Sequence, residues 1–209
     1  PDQQTLRALT REHTPSVFES ACGNLNKVSR NKARMAKFTY IIDDAANAGR
    51  YSHQLIDPAK ADALIARQTA YIEEKGKLLE VRGFLGLGKR AVPVQWLYTL
   101  EGANIAGMQS ILAFPPQDVL AEGDDFKPTF RVVYTPDLAL PDMPGGQAIL
   151  VNLNTYTTHI IGPDYFGESK KAALRMLNEY AFAKGGLVLH AGAKAVSYTH
   201  LTLPTIREV

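Results

Sequence analysis

The chain has 209 residues, of which 45% are hydrophobic and 21% charged, a composition typical of a globular protein with one substantial core. Its formal net charge of +2 is too small to favour a nucleic-acid or acidic-membrane partner. Cys22 is the only cysteine, which excludes an internal disulfide, and no apolar run is long enough to span a membrane. With no signal-peptide pattern at the start, we expect a cytoplasmic protein, and the oligomeric state stays open.

The first half of the chain predicts helices. Residues 1–25 are polar and predict irregular structure, whereas apolar positions in residues 26–50 recur at helical spacing and predict one helix or two. Basic residues cluster between Arg30 and Lys37, where a solvated helix face is favoured over a nucleic-acid site because stacking aromatics are few. Pro58 starts a further helix that runs to about Val81, and the glycines at 83, 86 and 88 end it.

The second half of the chain predicts strands. Runs of β-branched, aromatic and aliphatic residues, bounded by Gly, Pro and Asp, occur at residues 91–100, 130–134, 148–153, 157–161 and 187–190. Small residues between Glu101 and Met108 permit close approach of the backbone to a ligand or to a neighbouring element, and tight packing is the favoured interpretation. The predicted fold class is therefore mixed α/β, with helices packed on a mixed sheet.

The segment Gly83–Lys89 matches the beginning of a phosphate-binding loop. The match fails at Arg90, where a Ser or Thr hydroxyl is required for magnesium, and a strand pattern follows instead of a helix. A turn before a strand is the preferred interpretation, and no nucleotide-binding residue is assigned. Arg90 is kept as a candidate for binding an anionic substrate, because a guanidinium pairs with carboxylate or phosphate.

The strongest candidate for chemistry is the stretch from Asp164 to Lys171, followed by Gly185–Ala191. The adjacent Lys170 and Lys171 favour one neutral amine, which could bind a metal or a substrate carbon. Lys170 is predicted to lie near the core boundary of a helix, on one face with Leu174. A following strand would deliver His190 at its carboxyl end. The alternative is two surface lysines and a packed histidine.

The pattern Tyr165-x-Gly167-Glu168-x-Lys170-Lys171, followed by His190, resembles the signature of the ATP-dependent phosphoenolpyruvate carboxykinases. Lys171 and His190 are 19 positions apart, a spacing that agrees with that family. The rest of the chain, especially residues 91–115, more closely resembles an uncharacterised bacterial family of domains of unknown function that is related to the carboxykinases.

The resemblance implies that Lys171 and His190 bind Mn²⁺ or Mg²⁺, and that Lys170 and Tyr165 lie near the substrate or the transferred phosphoryl group. The implied partners are ATP and a small carboxylate or phosphorylated substrate, and the implied chemistry is that of a phosphoryl transferase or lyase. The sequence departs from the family at Phe166 and Ser169, which replace Ala and Met. The family's arginine loop has no clear counterpart, and Arg90 is only a weak candidate for it.

Residues 196–209 resemble the translation of a transposon-end adapter used in sequencing libraries, and we predict that they are not native protein. Residues 1–195 are then predicted to be part of the N-terminal, substrate-binding domain of a carboxykinase-like protein, incomplete at its C-terminus. The family's nucleotide loop follows the histidine strand, so the ATP site is expected in the missing part and the chain alone is expected to be inactive.

Two functions remain open from the sequence. The first is a carboxykinase-like enzyme, and the second is a non-catalytic ligand-binding or regulatory module on the same fold. A Lys171 amine and a His190 ring nitrogen close enough to share one ion would favour the enzyme.

Overall fold

The computed structural model describes residues 1–31 and 35–189, together with the backbone of residues 194–195 and 201–202. These residues divide into two units, residues 1–176 and residues 177–209. The helices are α1 (Gln3–His13), α2 (Pro58–Lys75), α3 (Ala103–Leu112) and α4 (Phe166–Phe182). The strands are β1 (Val17–Glu19), β2 (Leu25–Lys27), β3 (Thr39–Ile42), β4 (Gln54–Ile56), β5 (Leu79–Leu85), β6 (Val92–Tyr98), β7 (Phe130–Thr135), β8 (Ala148–Asn152), β9 (Thr157–Ile161), β10 (Lys194–Ala195) and β11 (Leu201–Thr202).

Seven strands form one mixed sheet in the order β4-β3-β8-β9-β7-β6-β5. The pairs β4–β3, β3–β8, β9–β7 and β7–β6 are parallel, and β8–β9 and β6–β5 are antiparallel. Two antiparallel pairs, β1–β2 and β10–β11, lie outside this sheet. The prediction of a mixed α/β fold is confirmed.

Helices cover the sheet and bury its side chains. On β6 every second residue is buried, and Val94, Trp96 and Tyr98 are fully enclosed. Helix α2 packs Ala61 and Leu64 into a cluster of buried residues from the sheet and the loop after β7, namely Tyr40, Ile42, Ile56, Leu140, Met143, Ala148, Leu150 and Ile161. Burial of this apolar surface is the main force that holds the layers together.

Close packing of small residues, predicted between Glu101 and Met108, is confirmed at α3. Ala103 and Ala106 are fully buried, and a β-carbon added at Gly107 would lie 3.8 Å from Cβ of Leu6 on α1. The prediction that residues 1–25 are irregular is wrong, because α1 occupies Gln3–His13 and buries Leu6. Asp2 caps this helix by accepting the amide N–H of Thr5 at 2.7 Å.

The predicted helix in residues 26–50 is also wrong. The described part of this segment holds the end of β2, two short 3₁₀ turns and strand β3. All four residues of β3 are buried, since β3 lies inside the sheet between β4 and β8. A continuous run of β-branched and aromatic residues is typical of such a buried strand, and here it prevails over the helical spacing.

Helix α2 ends earlier than the sequence predicts. It stops at Lys75 because Gly76 adopts a left-handed conformation (φ 69°), in which its amide N–H caps the carbonyl of Ile72. Leu79 and Val81, assigned to the helix from the sequence, instead begin β5. The Gly83–Lys89 stretch leads from β5 through a 3₁₀ turn into β6, which confirms the preferred interpretation of a turn before a strand.

The strand predicted at residues 187–190 is absent from its described part, residues 187–189. His190 lies outside the described residues. In the regions that the structure describes, no helix combines the length and the apolarity needed to cross a membrane.

Candidate functional site

The candidate site lies where three parallel strands end. Because β6, β7 and β9 run in the same direction, Tyr98, Thr135 and Ile161 reach one edge of the sheet, which we call the carboxyl edge. The chain leaves β9 through residues 162–165 and enters α4 at Phe166. Ligands commonly bind at this position in α/β sheets.

Tyr165 and Lys171 come together at the start of α4. The Nζ atom of Lys171 lies 5.7 Å from the centre of the Tyr165 ring, within the range of a cation–π interaction. The backbone of Tyr165 is anchored by the buried hydroxyl of Tyr134, which donates to its carbonyl oxygen at 2.9 Å. The structure thus brings two of the predicted site residues into contact.

Lys170 does not occupy the predicted position at the core boundary. Its side chain is exposed, whereas the adjacent Ser169 is fully buried. The buried residues of α4 are Gly167, Glu168, Ser169, Ala172, Ala173 and Met176, so the buried face is offset from the predicted one. Lys171 is the half-buried lysine of the pair.

Buried polar side chains fix the first turn of α4 against the sheet. The Ser169 hydroxyl donates to Oε1 of Gln109 at 2.9 Å and is 2.7 Å from the Tyr98 hydroxyl, which therefore donates to it. Burial raises the pKa of Tyr98, so this hydroxyl keeps its proton. Ser169, where the carboxykinase signature has Met, is thus part of a satisfied buried hydrogen-bond network.

A second cluster at the carboxyl edge was not predicted from the sequence. The carboxylate of Asp164 is buried and lies 3.3 Å from Nζ of Lys27 and 3.5 Å from Nε of Arg30. Although burial alone would raise the pKa of Asp164, the backbone N–H groups of Arg30 and Asn31 and the Lys27 ammonium together hold it below its usual value.

Arg30 keeps much of its side chain accessible. Its Nη2 donates to the carbonyls of Pro136 at 2.6 Å and Gly162 at 3.2 Å, yet 67% of the side chain is exposed. The sequence pattern predicted that Arg30 lies on a solvated helix face, whereas the structure places it at the carboxyl edge of the sheet. The signal that could have revealed it is its position shortly before the buried run of β3.

Arg90 is not near these residues. It is exposed in the turn between β5 and β6, at the amino end of β6, whereas Tyr98 at the carboxyl end contacts Ser169. The seven residues of β6, at about 3.3 Å each, separate the two ends by roughly 20 Å. A small substrate cannot span that distance, so Arg90 and Tyr165 do not share one small-molecule site.

A cleft of about 420 Å³ opens beside the cluster, between α1, α3 and the β1–β2 pair. This volume is within the range of small-molecule sites. Its lining includes Leu6, Arg7, Lys27, Met108, Asp164 and Tyr165.

The described residues contain no group of three or more His, Cys, Asp and Glu side chains able to hold a metal ion. Of the predicted ligand pair, Lys171 lies at the carboxyl edge and His190 is outside the described part of the chain. An amine can act as a metal ligand only when neutral, and Lys171 would then supply only one ligand. The fit of a metal here therefore depends on donors other than Lys171.

The fold and the site define a mixed α/β protein with a cluster of cationic side chains at the carboxyl edge of parallel strands. The sequence profile described as phosphoenolpyruvate carboxykinase matches residues 2–203. The chain therefore belongs to the phosphoenolpyruvate carboxykinase family.

Relatives with the name phosphoenolpyruvate carboxykinase (ATP) are distant in sequence. The protein of Geobacillus thermodenitrificans is 25% identical over 169 residues, which are 77% of this chain and 31% of the relative. The protein of Geobacter metallireducens is 26% identical over 161 residues, which are 73% of this chain and 29% of the relative. The chain thus spans about a third of the length of the relatives it matches.

Proposed function

We propose that this chain contributes the substrate-binding part of a carboxykinase-like, metal- and ATP-dependent phosphoryl transferase or lyase acting on a small carboxylate. The observation that carries the proposal is the placement of the Lys171 amine over the Tyr165 ring at the carboxyl edge of the sheet. Family membership supports the reaction class, and the shared edge gives the two side chains a common ligand position.

Arg30 is the guanidinium that we assign to the substrate carboxylate. It lies at the same edge as Tyr165, it is largely exposed, and its Nη2 is oriented by two backbone carbonyls. A guanidinium held in this way is preorganised for a charge-assisted pair with a carboxylate. The assignment of Arg90, at the amino end of β6, to an anionic substrate stays a prediction of the sequence.

Lys171 and His190 are the proposed ligands of a divalent ion, Mn²⁺ or Mg²⁺. Such an ion would screen negative charge during phosphoryl transfer. Lys170, exposed on the neighbouring position of α4, is proposed to contact the transferred phosphoryl group from the solvent side. A cytoplasmic location remains a prediction of the sequence.

ATP is the proposed phosphoryl donor, in keeping with the names of the relatives. The residues compared are less than a third of those relatives, and no residue of this chain is assigned to the nucleotide. We therefore expect no ATP turnover from the 209-residue chain alone, and activity is to be sought in the complete reading frame of the gene.

The test is Mn²⁺-dependent nucleotide turnover by that complete protein, with Lys171→Ala and His190→Ala as the informative variants. Loss of turnover in both, with Lys60→Ala on the exposed start of α2 as a control that keeps wild-type turnover, supports the proposal. Unchanged turnover in both variants rejects the ligand assignment. A complete protein that binds small carboxylates but shows no turnover at all favours the non-catalytic module.

A further inference from the structure

Asp164 is buried to 4% exposure among hydrogen-bond donors that come from a distant part of the chain. Its Oδ2 accepts the backbone N–H of Arg30 and its Oδ1 that of Asn31, both at 3.0 Å. Two backbone amides shared between two carboxylate oxygens form a charge-assisted pair with a defined geometry. The carboxylate therefore holds the main chain at Arg30 as well as neutralising charge.

The side chain of Asn31 in turn binds the backbone of Asp164. Its Oδ1 accepts the backbone N–H of Asp164 at 3.0 Å, and its Nδ2 donates to Oε1 of Gln147 at 3.2 Å. Asp164 and Asn31 thus fix each other from both sides, although they are 133 positions apart. A reciprocal pair of this kind restrains both orientation and distance.

These contacts leave most of the Arg30 side chain accessible to a ligand. Its Nε is 3.5 Å from Asp164, longer than the 3.0 Å bond from its own backbone amide, and Lys27 also faces the carboxylate at 3.3 Å. Two cations surround one anion, so the cluster keeps a net positive charge. An incoming carboxylate can pair with Arg30 without first displacing Asp164.

The backbone at Met35 is held by Glu168, which is the next buried carboxylate along the chain after Asp164. Oε1 of Glu168 accepts the backbone N–H of Met35 at 2.9 Å, and its Oε2 pairs with Arg175 at 2.7 Å. Glu168 is fully buried. Residues 30, 31 and 35 are therefore all hydrogen-bonded to the stretch 164–168 that also carries Tyr165.

We propose that Asp164 is a positioning residue, which fixes Arg30 relative to Tyr165 so that the two side chains can bind one small carboxylate. The inference rests on the proposed function and deepens it. Asp164 acts through Arg30 and does not touch the substrate itself. Because a misplacement of about 1 Å can cost about a hundredfold in rate at a catalytic site, we expect the loss of this anchor to weaken the site measurably.

The test is calorimetric titration of the 209-residue chain with oxalate. Asp164→Asn keeps the shape of the side chain but offers an NH₂ to one of the two backbone amides, so we expect roughly tenfold to hundredfold weaker binding. Asn31→Ala keeps the Asp164 charge and removes the returning bond, so it too is expected to weaken binding. Asp142→Asn is the matched control, because this exposed aspartate pairs with Arg67 on α2 and should leave affinity unchanged.

The outcomes are distinguishable. Tighter binding by Asp164→Asn would mean that the carboxylate competes with the ligand, and unchanged binding by either Asp164→Asn or Asn31→Ala would also overturn the positioning role. If Asp164→Asn does not fold, the affinity of Asn31→Ala decides alone. A wild-type chain that binds no oxalate overturns the proposed function and the inference with it, whereas variants that bind oxalate as tightly as the wild-type chain overturn only the inference.

Discussion

The ring of Tyr165 lies directly over Gly167. A β-carbon at position 167 would be 2.6 Å from Cζ and 2.7 Å from the hydroxyl oxygen of Tyr165, closer than real Cβ contacts allow. Gly167 is buried in the first turn of α4, so its lack of a side chain gives Tyr165 the space it occupies. The glycine of the signature therefore has a steric role in placing the tyrosine beside Lys171.

Gly167→Ala is expected to displace the Tyr165 ring, and this displacement should offset the stability gained from the higher helix propensity of alanine. Gly107→Ala on α3 is the matched control. Its added β-carbon would meet Leu6 at an ordinary 3.8 Å, so higher helix propensity should stabilise the protein by up to about 1 kcal/mol. Urea unfolding measures both changes, and equal effects at the two glycines would contradict the steric role of Gly167.

The buried pair of Glu168 and Arg175 predicts that the free energy of unfolding depends strongly on both partners. Glu168 is fully buried, and Arg175 is 15% exposed at 2.7 Å from it. Arg175→Met leaves a buried charge uncompensated and should cost about 3–5 kcal/mol in the free energy of unfolding. The double variant with Glu168→Gln should recover part of this loss. A double-mutant cycle with additive costs would show that the two residues are not coupled.

His159 predicts a pH dependence of stability. Burial, with a smaller contribution from the charge of Arg131, lowers the pKa of His159 to about 4. The Gln68 amide donates to Thr135 and to two backbone carbonyls, so its Oε1 accepts the Nδ1 proton of the neutral imidazole at 2.8 Å.

The unfolded chain protonates this histidine below its ordinary pKa of 6.5, whereas the folded protein does not until about pH 4. Its effect on stability is therefore absent above pH 6.5 and grows as the pH falls toward 4, where it reaches a loss of about 3 kcal/mol. Unfolding free energies of wild type and His159→Gln, measured across this range, should diverge in slope. Parallel curves would show that His159 titrates normally in the fold.

The left-handed conformation of Gly76 predicts that a side chain at this position destabilises the end of α2. Gly76→Ala forces a side chain into a conformation with φ of 69°, which should destabilise the protein by about 1 kcal/mol, and Gly76→Asn should cost less. Gly49→Ala serves as the control, because no atom lies within 4 Å of an added β-carbon there and its φ is not positive. Thermal unfolding of the three variants tests the order of these effects.

Local patterns predicted several parts of the fold correctly. The run of β-branched, aromatic and aliphatic residues at 91–100 predicted β6, and Pro58 predicted the start of α2. Where long-range packing overrides local spacing, the predictions were wrong. The 39–42 run became an internal strand because neighbouring strands enclose it on both sides. Helix α1 formed because Leu6 packs toward α3.

The sequence by itself determined the class of the protein and the stretch that carries the candidate chemistry, because the Tyr165–Lys171 motif is a local pattern. The tertiary structure decided which side chains lie at the same edge of the sheet as this motif. Strand direction places Arg90 at the opposite edge of the sheet and Arg30 at the carboxyl edge. The 134 positions between Arg30 and Asp164 are closed only by the folded sheet, whose strand order no local pattern encodes.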